Sequence, residues 1–418
     1  MVVRRIPSIN NIYRTEVKIG GFLSALVLSG IAMGLYRGIQ DNFLAEIVRI
    51  DAFERGVTEF FRELPGLFLV LFLAWMHRLS EKRIFKIGIG LMLAGIVGLN
   101  LAGLLPLDFF PGAAGKAGVI ALMVLYSCGE HILMPVRASH SLHLARENKS
   151  GASLGVTGAL GHGGNIVGFL AVTFAFLVFS RLGLAKLDQF RIVYGAAMFL
   201  MIGALFTCMA IYDSGQKVER PRFYFAKKFH KFYMLEVFYG ARKQVFITFA
   251  PYVLILQYGA DTSVISLLLA VSAVCGFVAS PLIGKLIDRV GYKAVMIGDT
   301  LILVVVCLLY GFSHRIFPMH IAFYVVCINY ILDSIISIAS MAINVYVQDI
   351  SENQEEVTAT LSTGISVNHV ISIIIALLGG LIWKLTGIEL LFCLSAFLGL
   401  LNSLYAASIK TVKKVISG

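Results

Sequence analysis

The sequence has 418 residues, 58% hydrophobic and 14% charged, with a formal net charge of +11 and a mean hydropathy of +0.85. Soluble domains are nearer half apolar and a quarter charged, so this composition excludes an ordinary water-soluble fold and names a bilayer as the solvent. A membrane-crossing helix takes about 20 residues, and twelve of them leave no stretch long enough for a separate soluble enzyme domain. The leader, residues 1–18, is basic but lacks a short apolar region with a small-residue cleavage site, and reads as a retained cytoplasmic tail. Apolar windows then predict spans near 19–46, 56–76, 84–105, 116–138, 151–180 and 190–212. A polar, basic segment, DSGQKVERPRFYFAKKFHK at 213–231, interrupts the pattern almost at the midpoint. Six more spans follow near 232–258, 262–284, 293–313, 318–346, 357–384 and 387–409. The expected organisation is a six-helix bundle in 1–212, a cytoplasmic basic linker in 213–231 and a second six-helix bundle in 232–418.

The distribution of basic residues orients this layout. Segments on one side hold 22 of the 35 Lys and Arg, against 8 on the other and five within spans. Basic loops stay inside, so both ends are expected on the cytoplasmic side, and the net charge is explained by facing anionic lipid without any nucleic acid. Cys128, Cys208, Cys275, Cys307, Cys327 and Cys393 all fall in apolar runs and read as packing thiols, not a disulfide framework. No GxxxxGK[ST] loop, HExxH or metal-spaced Cys/His set occurs, so no cofactor or metal is expected.

The two halves repeat. A shift of 207 residues lays HRLSEKRIFK (77–86) on GKLIDRVGYK (284–293), so that Glu81 meets Asp288, Lys82 meets Arg289 and Lys86 meets Lys293. The same shift brings Ala152, Ser153 and Leu154 onto Ala359, Thr360 and Leu361, and His162 onto His369. The segment GKLIDRVGYK resembles the signature loop of the major facilitator superfamily, a glycine followed by L-x-D-R-x-G and a basic residue. The first copy departs from it, with His77 in place of the leading glycine and Ile84 in place of the second. The resemblance covers the whole chain in span count, two-half layout and central basic linker. It implies an all-α polytopic membrane protein, two pseudo-symmetric bundles of six helices with a site between them, and secondary transport by alternating access. It also implies a gating loop formed by Gly284, Asp288, Arg289, Gly291 and Lys293, with Glu81 and Lys82 in the first copy.

In that family's fold spans 1, 4, 7 and 10 line the central cavity, and here these spans carry charge. An ionisable group inside the bilayer is costly and marks a functional candidate. Arg37 and Asp41 share a face of the first span, and with Glu59, Arg62 and Glu63 of the second are expected to form an outer ion-pair cluster. The fourth span carries Glu130 and His131, with Arg137 one heptad after Glu130. The seventh carries Glu236, Arg242 and Lys243, and the tenth Asn329 and Asp333. Arg242, Lys243, Glu130, Asn329 and Asp333 are the candidate substrate-binding set, because adjacent mid-membrane cations suit an anionic group. Glu130, His131, His162, Asp333 and His369 are the candidate proton carriers. Gly30, Gly34 and Gly38, GASLG (151–155) and GNIVG (164–168) read as close-packing motifs.

The function expected is transport of a small polar, anionic organic solute, coupled to protons or sodium, by a monomer in a bacterial inner membrane. Efflux of drugs or amphiphiles is the alternative within transport, weakened because the fourth span lacks a central arginine and the fifth a glycine-proline pair. A receptor, lipid-handling protein or membrane enzyme that kept the fold and lost transport is the alternative outside it.

Overall fold

The computed structural model describes residues 11–14, 18–213, 215 and 224–409. Helix dominates, as it must where hydrocarbon leaves backbone groups no other partner. The first six spans are α1 (Gly20–Asn42, prolonged by a π-helical turn Phe43–Ile47), α2 (Ala52–Leu67) with α3 (Leu69–Trp75), α4 (Glu81–Ala102), α5 (Ala113–Leu144), α6 (Ser150–Arg181) and α7 (Lys186–Thr207). The second six are α8 (His230–Tyr258), α9 (Thr262–Val290), α10 (Tyr292–Ile316), α11 (Met319–Ser337) with α12 (Met341–Ile350), α13 (Gln354–Thr386) and α14 (Ile388–Ala407). Ten of these spans are long and apolar enough to cross a bilayer by composition alone. Of the two others, α2 carries Glu54, Arg55, Glu59, Arg62 and Glu63, and α8 carries Lys231, Glu236, Arg242 and Lys243.

Every expected span falls on helix, and several helices run further than their apolar windows, two of them by six residues. The fourth continues past residue 138 to Leu144, and the eighth past 284 to Val290. Most of the expected gating loop is therefore helix: Gly284, Asp288 and Arg289 belong to α9, Lys293 belongs to α10, and Gly291 makes the turn between them at φ +86°.

Two compact units result. The first comprises residues 1–49, 68–220 and 262–270, and the second 50–67, 221–261 and 271–418. In the first unit α1 lies against α6 along small residues. A Cβ on Gly34 would fall 2.3 Å from the Asn165 carbonyl oxygen, and one on Gly168 2.5 Å from that of Ile31, so both backbones approach as only glycine allows. GNIVG is thus a packing seam, whereas Gly151 and Gly155 of GASLG face open space. Near the end of α5, Tyr13 bridges to Ala145, and the backbone N–H of Arg14 donates to the Leu144 carbonyl at 3.1 Å.

The second unit takes in α2, because α2 packs on α13 where a Cβ on Gly56 would meet the Ala376 carbonyl oxygen at 2.3 Å. Its core at one end gathers Phe229, Phe232, Tyr292, Met296, Ile343 and Tyr346, and further along α8 Phe246 packs edge-on to Tyr310 and Phe392. Part of the expected linker, residues 214 and 216–223, and the chain ends 1–10 and 410–418 lie outside the described residues. Lys228, in the described part of the linker, binds Glu352 at 3.0 Å and Glu356 at 2.7 Å. Hydrogen bonds to Glu356 and Glu352 raise its pKa above the ordinary lysine range.

Candidate functional site

The candidate residues resolve into a cavity in the first unit and two ion-pair clusters in the second. The cavity, of about 120 Å³, is enclosed by α1, α4, α5 and α6. Its polar wall is Ser29, Arg37, Glu130, Arg137, His162 and Asn165, and Leu26, Met33, Phe85, Leu133 and Met134 supply apolar surface. Helical periodicity accounts for the convergence: Glu130 and Arg137 are one heptad apart on α5 and present the same face. Arg37 forms an ion pair with Glu130, whose side chain is 4% exposed. Arg137 makes no ion pair among the described residues, although its charge acts on both Arg37 and Glu130. The cavity therefore holds two guanidinium groups against one carboxylate, with an imidazole beside them.

His131, next to Glu130 in sequence, has its Nδ1 3.1 Å from Ser127 Oγ and 2.9 Å from the Ser127 carbonyl oxygen, one turn back on α5. It does not line the cavity. Asp41 is half-buried in the last turn of α1.

The first cluster of the second unit is built on α2. Glu59, fully buried, accepts from Arg55 at 2.8 Å and Arg62 at 2.6 Å, and Arg62 also reaches Glu63 at 2.7 Å. Gln244 of α8 donates to Glu59 at 3.2 Å, and Nδ1 of His369 lies 3.0 Å from Glu63. Of the expected outer cluster, Arg37 and Asp41 belong to the first unit and Glu59, Arg62 and Glu63 to the second. Arg55, assigned by the sequence to a loop, is a member. It is 2% exposed and stands over the Tyr252 ring at 5.5 Å.

The second cluster surrounds Arg242. Its guanidinium pairs with Asp299 of α10 at 3.2 Å, lies 5.0 Å from the centre of the Tyr239 ring and interacts electrostatically with Asp333 of α11. Lys243 points elsewhere, its charge acting on Glu236, which also accepts from Asn368 at 3.2 Å. The adjacent cations of the sequence thus serve two different carboxylates, and no shared cradle forms. Asn329 is buried and donates to the Val325 carbonyl at 2.7 Å, while its Oδ1 finds no partner. Asp299 was the acid missed from sequence; it sits in an apolar run, IGDTLIL, but in a span outside the expected cavity-lining set.

The two signature copies differ in setting. Asp288 and Arg289 are exposed at the end of α9, and Lys293 donates to the Ile409 carbonyl at 3.0 Å. Glu81 is 1% exposed and receives Ser139, His140 and His143 of α5, while Lys82 is half-buried.

Residues 232–415 match the Major Facilitator Superfamily. No curated protein matches the sequence. Among solved structures the chain is similar to a D-xylose-proton symporter (TM-score 0.74, 13% identity, 94% of this chain and 98% of that one). It is also similar to the nucleoside transporter NupG (0.68, 14%, 93% and 98%) and to a bacterial homologue of the iron transporter ferroportin in an inward-facing state (0.71, 13%, 93% and 97%). The second half of the chain thus matches that family by sequence, and the chain as a whole shares the fold of these solved structures.

Proposed function

We propose that the protein carries a small polar solute bearing negative charge across the membrane by alternating access, driven by protons. The observation that carries this reading is the charge balance of the first-unit cavity. Arg37 is compensated by Glu130, and Arg137 is left facing a space rimmed by His162, Asn165 and Ser29. A cation held out of water attracts an anion to repay its desolvation, and a carboxylate offers a guanidinium two parallel acceptors. The solute's anionic group binds Arg137, with the Asn165 amide donating to a remaining oxygen.

Protons have places to bind in both units. Arg242 faces two carboxylates, Asp299 and Asp333, so one proton makes that cluster neutral. Asp333 is its carrier in the second unit, and Glu130 with His162 is the counterpart in the first. The protein works as a monomer in a bacterial inner membrane with both ends cytoplasmic, the orientation its basic loops favour.

The test is flux in proteoliposomes containing the full chain. Small carboxylates are expected to enter faster under an imposed proton gradient. Arg137→Ala should lower their uptake by about 100-fold, the loss of a buried charge-assisted contact of about 3 kcal/mol. Uptake of carboxylates that is indifferent to Arg137→Ala removes the anion site. A preference for lipophilic cations instead turns the reading to efflux.

A further inference from the structure

The residues around Glu81 form a cluster that the transport reading does not use. Glu81 opens α4, and its carboxylate is buried to 1% exposure at the end of the first unit where residues 12–14 lie along the turn after α5. Nδ1 of His143 is 3.0 Å from both carboxylate oxygens and Nδ1 of His140 is 3.2 Å from one. Ser139 donates its hydroxyl to the other. An ionised carboxylate only accepts, so both histidines present Nδ1–H to it.

Other charged groups nearby belong elsewhere. Lys82 and Lys86, on the same helix, lie near Cys208 at the end of α7. Arg83 makes no ion pair among the described residues, and Asp213 accepts from Ser80 at 3.1 Å. Arg146, beyond the end of α5, donates to the Tyr13 carbonyl. From α1 the Phe22 ring stands edge-on to the His140 ring, with centroids 5.0 Å apart. Among the described residues, the buried carboxylate is paired with imidazoles and with no Lys or Arg.

The two imidazoles are not equivalent. His140 is wholly buried and its Nε2 has no partner among the described residues, so a second N–H there would be buried without an acceptor. The His143 side chain is 35% exposed, so its far nitrogen can exchange a proton with water. We propose that Glu81, His140 and His143 form a proton-responsive latch, in which protonation of His143 tightens the junction between the start of α4 and the end of α5. A proton taken from solvent turns a hydrogen bond with one ionised partner into a hydrogen-bonded ion pair with two. The latch is tight while His143 carries the added proton and relaxes when the proton is lost.

Amide hydrogen exchange on the full chain in lipid nanodiscs at pH 6 and pH 8, corrected for the intrinsic pH dependence of exchange, tests this. In the wild type, peptides spanning 77–86 and 139–146 should exchange about tenfold more slowly at pH 6, while 284–293 should not respond. His143→Gln keeps a donor but cannot take a proton, and should abolish the pH response. Glu81→Gln should abolish it too, whereas His140→Gln should retain it. A wild type without the response, or a His143→Gln variant that still shows it, overturns the latch.

Discussion

The segments 77–86 and 284–293 align in one frame by sequence and end in opposite environments. In the second, Gly291 turns the chain at φ +86°, ψ 151°, a conformation open essentially to glycine alone. The helix before it can therefore run to Val290, carrying Asp288 and Arg289 outward on its last turn. In the first, the matching position is Ile84, a β-branched residue that cannot make that turn. The chain instead breaks earlier, at 76–80, and α4 begins four positions sooner in the shared frame. Ile84 is then buried within the helix at 1% exposure, and the acid, now in its first turn, swings inward. One glycine decides whether this carboxylate is exposed on a helix end or locked under its neighbour.

The largest effect that would break this comparison is at the buried acid. Glu81→Ala leaves the Ser139, His140 and His143 donors without their acceptor and should cost about 3 kcal/mol, read as a lower apparent unfolding temperature of the detergent-purified protein. A loss no larger than that of Asp288→Ala would mean that the two acids are alike after all.

The turn itself comes next. Gly291→Ala forces a side chain into strained backbone and should cost about 2 kcal/mol, although the site has open space for a methyl group. Unchanged stability would show that the turn can be made another way, and would remove the reason given for the divergence of the two copies.

Much of this was legible beforehand, for reasons that particular residues make plain. Hydropathy located twelve spans because lipid admits so few alternatives, and the spacing of Glu130 and Arg137 placed both on one wall. Pairings across helices were not legible. Arg242 and Lys243 are adjacent, yet consecutive helical residues point about 100° apart, so Arg242 meets Asp299 while Lys243 meets Glu236. The assignment of α2 to the second unit rests on Gly56 meeting Ala376, a contact between residues more than 300 positions apart that no periodicity announces. Arg55 looked like a loop cation because its burial depends on Glu59 one turn on and on Tyr252 of α8.

The smallest effect on stability sharpens the comparison most. Asp288 is exposed and makes no ion pair among the described residues, so Asp288→Asn should change the unfolding free energy by less than about 0.5 kcal/mol. If the second copy serves as a gate, as the family signature implies, the same variant should still slow flux in proteoliposomes, because a gating contact is made in one state of the cycle and released in another. Stability and rate would then separate in the second copy and fall together in the first, where Glu81 is tied to its partners in the folded state. An Asp288→Asn protein with normal flux would leave the exposed copy with topology as its one remaining role, the retention of Lys285, Arg289 and Lys293 on the inner side.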